Sequence, residues 1–164
     1  MTGPILRVLS LARERTLAAT LDLSDEFLAL QPAGARNHPA WTLGHLLFVE
    51  AEGATTLGLK HDLPDLWAER FAPGSAPSPD RKRYPSKAEL LERLGALRIG
   101  LLRKVEGITP DDLERPTAAP ASPVLGRCAV IGDVLLYLAW HEGYHNGQLA
   151  VWRRAAGIGQ HGTE

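Results

Sequence analysis

The stretch Val134–Arg154, VLLYLAWHEGYHNGQLAVWRR, decides how the chain is read. It lies in a proline-free run of 41 residues, 124–164, and reads as one long helix from about Cys128 to Ala156, with Gly157 suited to its end. At helical spacing Val134, Leu138, His141, His145, Gln148 and Trp152 share one face. Two imidazoles therefore stand one turn apart on a face that should point into a core.

The same reasoning extends to the rest of the chain. Its 12 prolines leave three further long gaps, 5–31, 40–63 and 86–109. A proline inside a helix costs about 3 kcal/mol, so helices are expected in those gaps. Each is rich in Leu, Ala, Glu and Arg, and alternating β-branched runs are absent. The first helix is expected from about Pro4 to Leu21 or a little beyond, followed by a break and a short second turn at Ser24-Asp25-Glu26. The second runs from near Pro39 to about Gly58. The third opens at Ser86 with a capping-box pattern completed by Glu89 and ends near Gly107. Thr109 caps a short extra turn. Residues 64–85 form a long connection whose head, Leu66–Phe71, suits a short helix packing Trp67 and Phe71. The expected fold is all-α: a four-helix bundle with a long crossover between helices 2 and 3, and one domain over 1–164.

Composition narrows the function. Eighteen basic and 19 acidic residues give a net charge of −1, without the basic excess of a nucleic-acid-binding domain. No uninterrupted apolar run is long enough for a membrane span, and the N-terminal arginines break up a signal-peptide core. A cytoplasmic protein with no nucleic-acid or membrane partner is expected. The single cysteine, Cys128, leaves no internal disulfide and no multi-cysteine zinc site.

His45, on the expected inward stripe of the second helix with Trp41, Phe48 and Glu52, can add a third nitrogen to the His141–His145 pair. Three imidazoles on two helices would hold one divalent metal and leave positions open for water or substrate. Glu52, Glu142 and Gln148 are the candidates to take the outer N–H groups of those imidazoles. Histidines on an apolar face can also be core residues without a metal. His141-Glu142-Gly143-Tyr144-His145 literally matches the H-E-x-x-H pattern of zinc proteases. The extension is missing, since Gln148 and Val151 stand where Gly and the third His belong, and no sheet is expected to hold a substrate strand. His38 is a candidate cap; His61 and Cys128 are too far along their helices to join the histidines, and His161 sits in a polar tail. Arg36 and Arg81-Lys82-Arg83 are the candidate positive charges, the latter a solvated loop by default.

Two motifs together, Trp41-Thr42-Leu43-Gly44-His45-Leu46 and Trp140-His141-Glu142-Gly143-Tyr144-His145-Asn146-Gly147-Gln148-Leu149, resemble the DinB-like (DinB/YfiT) superfamily. Phe71-Ala72-Pro73-Gly74-Ser75, Asp80 and Tyr84-Pro85-Ser86 resemble the crossover of its second subgroup, and Arg153-Arg154-Ala155-Ala156-Gly157 its usual ending. The resemblance implies a four-helix bundle, often a homodimer, that binds one divalent metal, Zn or Ni foremost, through His45, His141 and His145. It also implies, from relatives using bacillithiol or mycothiol, a metal-dependent transferase that activates a small-molecule thiol toward an electrophile. A non-catalytic metal- or ligand-binding bundle and a metal-dependent hydrolase are the alternatives.

Overall fold

The computed structural model describes residues 2–117 and 124–159. The described residues form six α-helices: α1 (Gly3–Ala18), α2 (Pro39–Thr56), α3 (Trp67–Phe71), α4 (Lys87–Glu106), α5 (Pro110–Leu113) and α6 (Ile131–Ala155). Two 3-10 turns, Glu26–Ala29 and Arg81–Arg83, complete the elements, and no strand occurs among the described residues. The four long helices form a bundle. Arg98 reaches the Leu9 carbonyl and Arg13 reaches that of Leu94, so α1 and α4 run antiparallel. Arg13 meets Glu142, and Arg153 meets Ala19, so α1 and α6 run parallel. His45 meets His141 and Gly53 abuts Leu138, so α2 and α6 are antiparallel. The long crossover is what lets α2 and α4 point the same way.

Local chemistry sets the helix ends. Ser86 caps α4 through the Glu89 amide at 3.1 Å, and Thr109 and Asp112 form a reciprocal capping box on α5. Helix α6 begins at Ile131 rather than near Cys128. The Asp133 carboxylate draws in the amides of Ala129 and Val130, at 2.9 and 3.2 Å, and that first turn fixes the start. Cys128 therefore sits in the preceding turn, buried, with its amide on the Leu125 carbonyl. Helix α1 stops at Ala18, short of Leu21. There Arg153 from α6 takes the Ala19 carbonyl at 3.0 Å and the Asp22 carboxylate at 2.7 and 2.9 Å.

Apolar side chains form two clusters. One gathers Trp41, Trp67, Phe71, Tyr84, Leu90 and Trp152 under the crossover. The other gathers Leu9, Val49, Leu101, Val105, Ile131 and Val134 toward the opposite end. The crossover is pinned by Arg81, which donates to the carbonyls of Asp25, Tyr84 and Pro85 and to the Asp25 carboxylate. Arg81 is thus a structural tie rather than a solvated charge. Among the described residues, no helix is long and apolar enough to cross a membrane.

Candidate metal centre

His45, His141 and His145 converge between α2 and α6. Each is buried, at 4, 7 and 4% exposure, and one ring nitrogen from each lies within 4.8 Å of the others. The Nε2 of His141 is 3.2 Å from that of His45 and 3.1 Å from that of His145. Ligands about 2.0–2.1 Å from a divalent ion stand roughly 3.0–3.4 Å apart at tetrahedral or octahedral angles, so two edges of the triangle already match.

The outer nitrogens decide the tautomers. The Nδ1–H of His45 donates to the Phe71 carbonyl at 2.6 Å, since a carbonyl oxygen only accepts. The Nδ1–H of His145 donates to Gln148 Oε1 at 3.0 Å, and that oxygen also accepts from Asn37 Nδ2 at 2.9 Å. Both imidazoles therefore aim a bare Nε2 lone pair at the Nε2 of His141. One proton on His141 serves one of those lone pairs, whereas a cation at the centre serves all three nitrogens. The donor set fits a divalent ion of borderline softness.

Electrostatics holds the same state. Burial pushes the His141 imidazole down to about 3, helped by the neighbouring His145 and His45. Burial likewise pushes His145 down to about 4, with His45 acting in the same direction and the Gln148 contact opposing it. Burial also lowers His45, against the Phe71 carbonyl. All three are neutral near pH 7, the form that coordinates.

The supports are built into the fold. Trp41 stacks on His45, centroids 4.6 Å apart and planes 11° from parallel. Its indole N–H is held by the Arg70 carbonyl and Ser75 Oγ. Gly44 lets Phe71 approach α2. A Cβ on Gly44 would lie 2.1 Å from the Phe71 ring, and the Phe71 carbonyl is the partner of His45. Tyr137 stacks on His141, and Tyr144 meets His145 edge-on.

Of the three acceptor candidates, Gln148 touches a histidine and the two glutamates do not. Glu52 is half-buried on α2, roughly 10 Å along the axis from His45, and lies outside the histidine group. Glu142 turns the other way, and sequence reasoning missed the group that it joins. Its carboxylate accepts from Arg13 Nε at 2.7 Å, Arg98 Nη2 at 2.5 Å and Thr16 Oγ1 at 2.7 Å. Glu50 from α2 takes the other arms of both arginines. Two arginines and two glutamates, one from each long helix, form a neutral buried ring directly behind His141. Glu142 is consumed there and is not placed as the base of a protease. The available signal was Glu50 itself, the one acidic residue in the largely apolar run Ala40–Ala51.

The remaining histidines lie apart. His38 caps α2, accepting from the Trp41 amide at 3.3 Å while its Nε2 meets the Ser78 carbonyl. His61 is exposed in the crossover, and His161 lies outside the described residues.

On the outer side of the centre an open cavity of about 700 Å³ is lined by Trp41, Tyr144 and Gln148, each of which contacts one of the three histidines. Among the described residues, Arg36 is the one charged residue on its wall.

The fold and the three-histidine centre describe a helical bundle able to hold a metal ion. The family model of the DinB superfamily matches residues 9–149, and the chain belongs to that superfamily. No curated protein matches the chain.

Proposed function

We propose that the protein binds one divalent metal ion, Zn or Ni foremost, through His45, His141 and His145 and is a transferase for a small-molecule thiol. The observation that carries the reading is the orientation of the imidazoles, with Nδ1–H groups of His45 and His145 tied outward and their Nε2 lone pairs turned inward. A divalent ion in that position would lower the pKa of a thiol that reaches it, making the nucleophile available at neutral pH.

The chain's own residues supply the remaining parts. Trp41, Tyr144 and Val151 offer an apolar wall to the thiol and the electrophile, and Arg36 offers a charge to an anionic group on either. The apolar cluster behind Trp41 keeps water from the inner side of the centre. The thiol would be of the bacillithiol or mycothiol type, as the resemblance implies, and a homodimer in the cytoplasm is the form it implies for the protein.

The near-complete burial of all three histidines favours a second reading, a non-catalytic metal- or ligand-binding bundle. The two separate in one experiment. Metal-loaded protein is incubated with an electrophilic aryl halide and, in turn, glutathione, cysteine and a cysteinyl-glucosamine thiol. Conjugation that needs the metal and is lost in His145→Ala supports the transferase. Tight metal binding without turnover of any thiol supports the binding bundle.

A further inference from the structure

A short relay of side chains runs from the cavity wall to the histidines. Asn37 Nδ2 donates to Gln148 Oε1 at 2.9 Å, and the same oxygen accepts from His145 Nδ1 at 3.0 Å. Asn37 and Gln148 are half-buried, and both line the cavity. The backbone on either side of Asn37 is held. Gln31 Nε2 donates to the Arg36 carbonyl at 2.9 Å. The His38 ring takes the Trp41 amide at 3.3 Å and meets the Ser78 carbonyl at 2.9 Å. Asn37 is therefore presented to Gln148 from a braced segment.

The direction of the relay matters. A glutamine amide has a carbonyl end and an NH₂ end of nearly the same shape, and a half-turn exchanges them. With the carbonyl inward, Gln148 accepts from both neighbours, and His145 carries its proton on Nδ1. Its Nε2 lone pair is then free for a metal. With the NH₂ end inward, Gln148 would donate to both neighbours. His145 would have to accept at Nδ1, so its proton would sit on Nε2, where a metal ion has to bind. His145 does not choose between these settings, because a neutral imidazole can donate or accept at Nδ1. Residue 37 does choose. Asn37 turns its NH₂ end to Gln148, and an NH₂ group is answered only by a carbonyl.

We propose that Asn37 is a positioning residue for the candidate metal centre: by donating to Gln148 Oε1 it holds that amide carbonyl-inward and keeps His145 in the tautomer whose Nε2 can bind a metal ion. The consequence for metal binding rests on the three-histidine reading. The tautomer itself does not, since it belongs to the metal-free protein.

Asn37→Asp tests this because two effects oppose each other in it. A carboxylate only accepts, so it should turn the NH₂ end of Gln148 inward and move the His145 proton to Nε2. Zinc binding, measured by competition with a chelating dye, should then weaken by about 10-fold or more, as when a ligating histidine loses its outer partner. A negative charge acting by attraction alone would instead tighten the binding of a divalent cation. The tautomer is read from the imidazole nitrogen resonances of His145 in isotope-labelled, metal-free protein at neutral pH. Protonated Nδ1 is expected in the wild type and protonated Nε2 in Asn37→Asp. A second set of variants serves even if Asn37→Asp does not fold. Gln148→Glu carries oxygen at both ends and needs no partner to orient it. Asn37→Ala should therefore weaken zinc binding beside Gln148, by less than Asn37→Asp does, and have no effect beside Gln148→Glu. An unchanged His145 tautomer in Asn37→Asp overturns the proposal. So does zinc binding in that variant at or above wild-type strength, or an Asn37→Ala loss that persists beside Gln148→Glu. A wild type that takes up no zinc counts against the metal reading, and the tautomer comparison still decides the role of Asn37.

Discussion

Glu142→Gln is the substitution that best separates structure from chemistry at this site. Glu142 is 2% exposed and accepts three hydrogen bonds, two of them from arginines. With an amide in its place, Arg13 and Arg98 share only Glu50, and one positive charge is left buried without compensation. Breaking a buried pair in this way costs about 3–5 kcal/mol. In a chain of this length 1 kcal/mol shifts Tm by about 2–4 °C, so the midpoint should fall by about 6–20 °C. The loss should depend on pH with a defined sign. Burial would raise the Glu142 carboxyl, but the charges of Arg13 and Arg98 outweigh it and hold the group below its ordinary value of 4.5. Its contribution is therefore full above the unfolded value and disappears as the pH falls through the lower folded one. Thermal unfolding of wild type and variant from neutral pH into acid is the assay. The difference should be constant near neutrality and shrink in acid, with metal content unchanged. Loss of an activity with Tm within about 1 °C of wild type would refute this reasoning and return Glu142 to the role of base in the H-E-x-x-H pattern.

Three further outcomes are expected. The metal-free protein should lose stability below the ordinary histidine range near 6.5: folded His141 and His145 take up protons only near 3 and 4, while the unfolded chain takes them up first. The slope should approach about 1.4 kcal/mol per pH unit for each histidine, and urea titrations at pH 7, 6 and 5, flattened in His141→Gln/His145→Gln, check it. Gln148→Ala removes the acceptor of His145 and should weaken metal binding by about 10–100-fold with little change in Tm, read by competition with a chelating dye. Gly44→Ala forces a Cβ into the Phe71 ring and should cost about 1–3 kcal/mol in denaturant titrations, with weaker metal binding because the Phe71 carbonyl moves away from His45.

The prolines made most of the fold legible, because each one limits where a helix can run. The capping residues Ser86 and Thr109 and the short helix holding Trp67 and Phe71 were visible for the same local reasons. The start of α6 was not. It depends on Asp133 reaching back to two amides, and the good helix formers before it do not reveal that. Helical spacing was enough to pair His141 with His145, since i, i+4 neighbours share a face whatever the rest of the chain does, whereas His45 was reached only through its place on the apolar stripe of a second helix. Their supports were only partly visible: Gln148 is a side chain at a readable spacing, but the partner of His45 is a backbone carbonyl brought in by the crossover. The arginine–glutamate ring was hidden because Arg13, Glu50, Arg98 and Glu142 come from four helices, and only tertiary packing tells a buried charge from a solvated one.

The proposed function stands on His45, His141 and His145 together holding one metal ion. Elemental analysis of protein purified without an affinity tag or chelator tests it most directly, beside His45→Ala and His141→Ala. About one divalent ion per chain is expected in the wild type and none in either variant, with the helical signal retained. Equal metal content in all three proteins would contradict it, as would a wild type that takes up neither Zn²⁺ nor Ni²⁺ and shows no thermal shift on adding them.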